Sequence, residues 1–229
     1  AGLEERVDAL KARGYTVIGQ MSQTILETAY GMRGLPRLMM DFYDQPEYVS
    51  TLFETIAEQR CFQARRFAEA GVDVVRLGDD IGTQHSLLVS PRLYAQRIKP
   101  MHAKVIAAAR AVNPDIHVKY HSDGNLTSLL PHFIEIGIDI INPVQPECMD
   151  LAEIKREYGR DLVLWGCTPV QSLFAHGTRP EIIAFLQFLM DDIAVDGGLV
   201  IKFTNFLATD RSMENLKVFF EVFYELGRY

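Results

Sequence analysis

Six short runs of β-branched and apolar residues punctuate the chain, at 15–19, 72–77, 116–121, 138–142, 162–166 and 199–204. Most are nearly continuous rather than alternating, the pattern of parallel strands covered on both faces. Between them apolar residues recur at helical spacing, which predicts helices over 46–70, 91–111, 126–136, 151–158, 180–194 and 212–226. The opening stretch 1–14 carries Glu4, Glu5 and Asp8 and reads as a helix already in progress, not a signal peptide. Strand and helix alternate throughout, so the class is α/β. Ser90-Pro91 and Arg179-Pro180 place proline at helix starts, where its missing N–H costs nothing. Gly71, Gly137 and Gly159 stand where helices should stop.

The chain also echoes itself. Glu69-Ala70-Gly71-Val72-Asp73-Val74-Val75 matches Glu135-Ile136-Gly137-Ile138-Asp139-Ile140-Ile141. Each reads as helix end, glycine cap, acidic turn and buried strand, as equivalent barrel units would. No G-x-G-x-x-G follows a strand, so a nucleotide-binding doubly wound sheet is the weaker α/β solution. The stronger is a (β/α)8 barrel, a TIM barrel. Six strands are visible where eight are needed. Residues 1–229 are therefore expected to form a single barrel domain lacking two β/α units. Open strand edges at the first and last runs predict that the isolated chain associates, as a homo-oligomer for example.

Composition narrows the function. Hydrophobic residues are 48% and charged residues 23%, enough apolar surface to exclude disorder. Lys and Arg number 23 against 30 Asp and Glu, a net charge of −7 without any basic run, which argues against nucleic acid as a partner. Cys61, Cys148 and Cys167 lie far apart with no CxxC, a reduced pattern that predicts a cytoplasmic protein. No apolar run approaches the roughly 18 residues of a membrane span, so no membrane is expected.

Polar residues gather at the C-terminal ends of the runs, the face where α/β barrels build their sites. They include Asp79, Asp80 and Gln84 after the second run, His121 and Asp123 after the third, Asn142 and Gln145 after the fourth, Gln171 after the fifth and Asn205 after the sixth. Read with period 2, His117, Lys119 and His121 share one strand face, which is costly in a dry core and tolerable beside a polar cavity. Lys202 and Arg76 raise the same question, an internal ion-pair network being the other answer for Arg76. His121 and Asp123 offer two metal ligands, with Cys167 or Glu147 as a third, although a hydrogen-bonded histidine is commoner than a ligand. His102, His132 and His176 read as surface residues. No G-x-S-x-G supports nucleophilic hydrolysis.

At these motifs the sequence resembles the uroporphyrinogen decarboxylase superfamily. The resemblance rests on Gly78-Asp79-Asp80-Ile81-Gly82 with Ser90-Pro91, His121-Ser122-Asp123-Gly124-Asn125, Asn142-Pro143-Val144-Gln145-Pro146, Leu164-Trp165-Gly166, Asp196-Gly197-Gly198 and Glu214-Asn215. It implies a (β/α)8 barrel of which this chain covers about the C-terminal two-thirds. Tyr30 falls where the decarboxylase has its active-site tyrosine, but Asp79 replaces a serine and Asn205 a histidine. The motif style is closer to the methyltransferases that serve corrinoid proteins. Zinc-dependent members use His-x-Cys plus a distant Cys, and here Asp123 and Asn205 stand at the two Cys positions, so a thiolate zinc site is not preserved.

The expected activity is therefore transfer of a methyl group between a small methylated substrate and a corrinoid (cobalamin-type) cofactor held by a partner protein. His121 or Lys119 would protonate the leaving group, with Asp79 or Asp80 holding the donor. Tyr30, Gln84, Asn142, Gln145, Gln171, Lys202 and Asn205 would position the substrate. The alternatives are uroporphyrinogen decarboxylation and a non-catalytic ligand-binding barrel.

Overall fold

The structure, a computed structural model, describes residues 2–204 and 210–227. Six parallel strands form one sheet in sequential order: β1 (Ile18–Gln20), β2 (Val74–Gly78), β3 (His117–His121), β4 (Ile140–Val144), β5 (Val163–Thr168) and β6 (Leu199–Phe203). Every strand pairs with the one before it and helices fill every connection. A doubly wound sheet would reverse strand order at a switch point. Sequential order with right-handed crossovers instead keeps all helices on one face, which is the barrel arrangement. The expected fold class holds: this is a partial (β/α)8 barrel with six strands.

The observed strands begin later than the apolar runs suggest. Val72, Ile116, Ile138 and Leu162 are nearly fully buried yet precede their strands. They plug the bottom of the sheet, so burial extends the apolar run without extending the ladder. At the first run Tyr15 is half exposed, and pairing starts only at Ile18.

Among the helices, Pro46–Glu69 and Leu151–Tyr158 match expectation. The predicted 91–111 helix is interrupted by a π-helical turn at Tyr94–Ile98, and 180–194 ends in another at Leu189–Ile193. Leu26–Arg33, whose apolar periodicity is weak, and Leu35–Asp44, which is strongly amphipathic, were not expected. The Ser90 side chain accepts from the Leu93 N–H at 3.1 Å, and Thr178 forms a capping box with Glu181, as the prolines beside them implied.

The internal echo is structural. Gly71 and Gly137 both adopt positive φ, +79° and +84°, at the helix-to-strand corner. Two residues on, Asp73 accepts from the Val17 N–H at 2.8 Å and Asp139 from the Val118 N–H at 3.0 Å. Each aspartate thus catches the backbone of the preceding strand.

Along the strands, Val75, Leu77, Val118, Tyr120, Ile141 and Leu164 are buried against the helices. Alternation turns their neighbours to the opposite, inner face. Gly19 belongs to the helix side, where a Cβ would stand 2.6 Å from the Phe67 ring of the Pro46–Glu69 helix. No described helix is long and apolar enough to cross a membrane.

Candidate active site

Strand register decides which polar residues meet. Gln20 pairs with Arg76, Arg76 with Lys119, Gly78 with His121, and His121 with Asn142. Arg76 and Lys119 therefore form one row across the inner face. His121 and Asn142 form the row above it, at the C-terminal mouth.

His121 is half-buried. Its Nδ1 lies 2.9 Å from Asn142 Oδ1, while Asn142 Nδ2 donates to the Trp165 carbonyl at 3.4 Å. That orientation makes Oδ1 the acceptor, so Nδ1 carries the proton of the neutral ring. Burial lowers the His121 pKa, and the Asn142 hydrogen bond only partly offsets it. Its Nε2 faces Asp80 Oδ1 at 4.0 Å.

Asp80 is linked in turn to Asp123 and Glu27 through backbone N–H groups. Asp80 Oδ1 accepts from the Asp123 N–H at 3.0 Å, and the Asp80 N–H donates to Glu27 Oε2 at 3.1 Å. Tyr30 donates its hydroxyl to Glu27 Oε1 at 3.0 Å. Burial, followed by the charge of Asp80, raises the pKa of Asp123. Burial likewise raises that of Glu27. The Tyr30 phenol is pushed up to about 12, again chiefly by burial. A cleft of about 190 Å³ runs between Ser22, Glu27, Arg76, Gly78, Asp80 and His121. Glu27 escaped the sequence reading, because the helix that carries it begins inside an apolar run. Its spacing of three from Tyr30 was the available signal.

Asp79 does not join this group. Its side chain is fully buried and turned towards the helices. It accepts from the N–H groups of Ile25, at 3.0 Å, and Glu27, at 2.9 Å, and contacts His102 Nε2 at 2.8 Å. Asp79 thus caps the helix Leu26–Arg33 from another strand, where the local cap residue Ile25 offers no side-chain acceptor. His102, expected on the surface, is fully buried. It lies on the stripe Met101, His102, Val105, Ile106, Ala109 that packs inward from the helix Lys99–Arg110. The adjacent aspartates of Gly78-Asp79-Asp80 therefore face opposite sides of the sheet.

The remaining expected positions divide. Gln145 is buried, and its Oε1 accepts from the Gly124 N–H at 2.6 Å, so it holds the loop after β3 and does not line the cleft. Gln84 and Gln171 are exposed, away from the His121 group. Lys202 is exposed on β6. Asn205 lies outside the described residues. His132 is half-buried beside Lys99, and His176 is exposed as expected.

The described residues form no metal centre. Among the described residues no three His, Cys, Asp or Glu side chains converge as one. Both expected third ligands to His121 and Asp123 are committed elsewhere. Cys167 is fully buried, with its thiol pushed up to about 12, and Glu147 Oε1 accepts from the N–H groups of Gln171 and Ser172.

The loops after β2 and β3 touch backbone to backbone. The Ser122 hydroxyl accepts from the N–H groups of Ile81 and Gly82, and the Asn125 N–H donates to the Thr83 carbonyl at 2.8 Å. Gly124, at φ +90°, sits in this seam, and a Cβ there would stand 2.6 Å from Thr83 O. Gly124→Ala should cost about 1–3 kcal/mol through strained φ alone. Equilibrium denaturant unfolding measures it, and an unchanged midpoint would show that the seam yields freely.

Lys119 lies one row below His121 and is nearly fully buried, with Nζ 3.6 Å from the centre of the Trp165 ring. Burial first, then Arg76 and Lys202, push its pKa down to about 8. Between about 8 and the ordinary value of 10.5 the unfolded chain holds this proton and the folded one does not. This group therefore makes stability rise with pH across that window. Lys119→Met should flatten the rise in unfolding midpoint between those pH values.

A partial (β/α) barrel with a polar mouth at its C-terminal strand ends defines the class. The family model of uroporphyrinogen decarboxylase (URO-D) matches residues 5–226, and the chain belongs to that family. Among solved structures it is similar to a methyltransferase from Methanosarcina mazei, at 16% identity and a TM-score of 0.73. That match covers 99% of this chain and 64% of the methyltransferase, so the chain spans just under two-thirds of its length. A glycoside hydrolase catalytic domain (GH53) from Ignisphaera aggregans aligns at 16% identity over 87% of this chain and 49% of that one, with a TM-score of 0.40. No curated protein matches.

Proposed function

We propose that the chain is part of an enzyme that moves a methyl group from a small methylated substrate to a corrinoid carried by a partner protein. The observation that supports this reading is the cleft lined by Glu27, Asp80 and His121, with Asp123 bound through its N–H to Asp80. Methyl transfer from an ether oxygen or an amine needs a proton on the leaving atom. Asp123, whose pKa burial raises, is the proton donor in this reading, with Glu27, raised likewise by burial, as a second. His121, held by Asn142, accepts a hydrogen bond at Nε2 and orients the substrate. The corrinoid, when bound, supplies the methyl acceptor.

The test incubates the full-length protein with reduced corrinoid on its carrier and a panel of methoxyaromatics and methylamines. Formation of methylcorrinoid, read by its absorbance, is the expected result. Carbon dioxide release from uroporphyrinogen would return the reading to a decarboxylase. Saturable ligand binding without either product would leave a binding barrel.

A further inference from the structure

The row beneath His121 holds more hydrogen-bond donors than acceptors. Lys119 is nearly fully buried, and no carboxylate pairs with it among the described residues. Its ammonium rests on the Trp165 ring, with Arg76 and Lys202 as the charged groups that bear on it. Arg76 is the register partner of Lys119. Among the described residues its Nε is buried without an acceptor, and its Nη1 reaches the Ser22 hydroxyl at 3.4 Å. The Trp165 indole N–H is likewise buried without an acceptor among the described residues. Buried donors are nearly always matched, and buried lysines are nearly always paired. Glu27 and Asp80 bear on Arg76 from the mouth, but neither forms an ion pair with it.

We infer that Arg76, Lys119 and Trp165 form a seat for a compact oxyanion, the carboxylate, sulfonate or phosphate end of the substrate. An oxyanion there supplies acceptors to three donors and neutralises two neighbouring cations, which a water molecule cannot do. The seat also fixes the length of the ligand. Lys119 and His121 are two residues apart on one strand, roughly 7 Å at ~3.3 Å per residue. That matches the span of an aromatic ring between the anionic group and the methylated atom. The methylated end rests on the proposed reaction; the anionic end does not.

Trp165 is the single tryptophan of the chain, so its emission reports on the seat directly. Benzoate, benzenesulfonate and inorganic phosphate are titrated into the full-length protein, with benzyl alcohol as the uncharged control. A saturable emission change with at least one anion, and binding at least tenfold weaker for benzyl alcohol, is expected. The tightest-binding acid identifies the anionic group. Lys119→Met and Arg76→Gln should each weaken anion binding tenfold or more while unfolding at the wild-type midpoint or above. Equal binding of benzyl alcohol, or undiminished anion binding in both variants, would overturn the seat. No corrinoid or turnover enters this measurement. Anion binding without methyl transfer would therefore sink the reaction and keep the seat, and methyl transfer without anion binding would do the reverse.

Discussion

Asp79→Ala should destabilise the protein by about 3–5 kcal/mol, since each buried donor left unsatisfied costs about 1–3 kcal/mol. The carboxylate accepts from two backbone N–H groups at the start of the Leu26–Arg33 helix and from buried His102. Its removal strands all three donors away from water. Domains of this kind are stable by only ~5–15 kcal/mol, so the loss should appear as a large shift in the denaturant midpoint. His102→Ala should cost a similar amount, and the double variant less than the sum of the two, because they remove one shared interaction. A wild-type midpoint for Asp79→Ala, coupled with lost activity, would instead place Asp79 in the chemistry, where the sequence alone had put it.

The second large effect concerns Asp123 and His121. Asp123→Asn should lower methyl transfer by roughly 10²–10⁴-fold, the range of general acid catalysis, with the unfolding midpoint little changed. The amide keeps hydrogen bonding but carries no transferable proton. His121→Gln should fall by a similar factor if the ring accepts part of that proton, and far less if it only positions substrate. The raised pKa of Asp123 means that its acid form persists to higher pH than in an ordinary aspartate and is lost as pH climbs. The wild-type rate should therefore decline on the alkaline side. Asp123→Asn should show no such limb in its residual rate, and an unchanged limb would assign the proton to another group.

How much of this was readable beforehand differs residue by residue. The barrel was visible because parallel strands buried on both faces leave unbroken apolar runs, and because the helix-to-strand corners at Gly71 and Gly137 repeat. The strand starts were blurred by Val72, Ile116, Ile138 and Leu162, whose burial depends on the floor of the sheet and not on pairing. Lys119 and His121 were correctly set on one face, since period 2 needs no partner strand. Splitting Asp79 from Asp80 needed the pairing of Gly78 with His121, which only the assembled sheet provides. His102 was readable in principle, as its position completes an inward helical stripe. Histidine is so often exposed that its chemistry outweighed its phase. Glu27 and Trp165 became meaningful only once tertiary contacts set an acid beside Asp80 and an indole under an ammonium.

The two aspartates that catch the preceding strand, Asp73 and Asp139, lie at the opposite end of the sheet from the cleft, roughly 17 Å away along a strand of five further residues. A parallel strand that slips by one residue exchanges its two faces completely. Were β3 to slip so, Lys119 and His121 would turn into the helix layer and Tyr120 into the cleft. The aspartates act as index marks, setting at one end which side chains arrive at the other. The mouth can then exchange its acids, amides and cations without touching the devices that keep the strands in step. Specificity in this chain is thus free to drift while its alignment stays fixed.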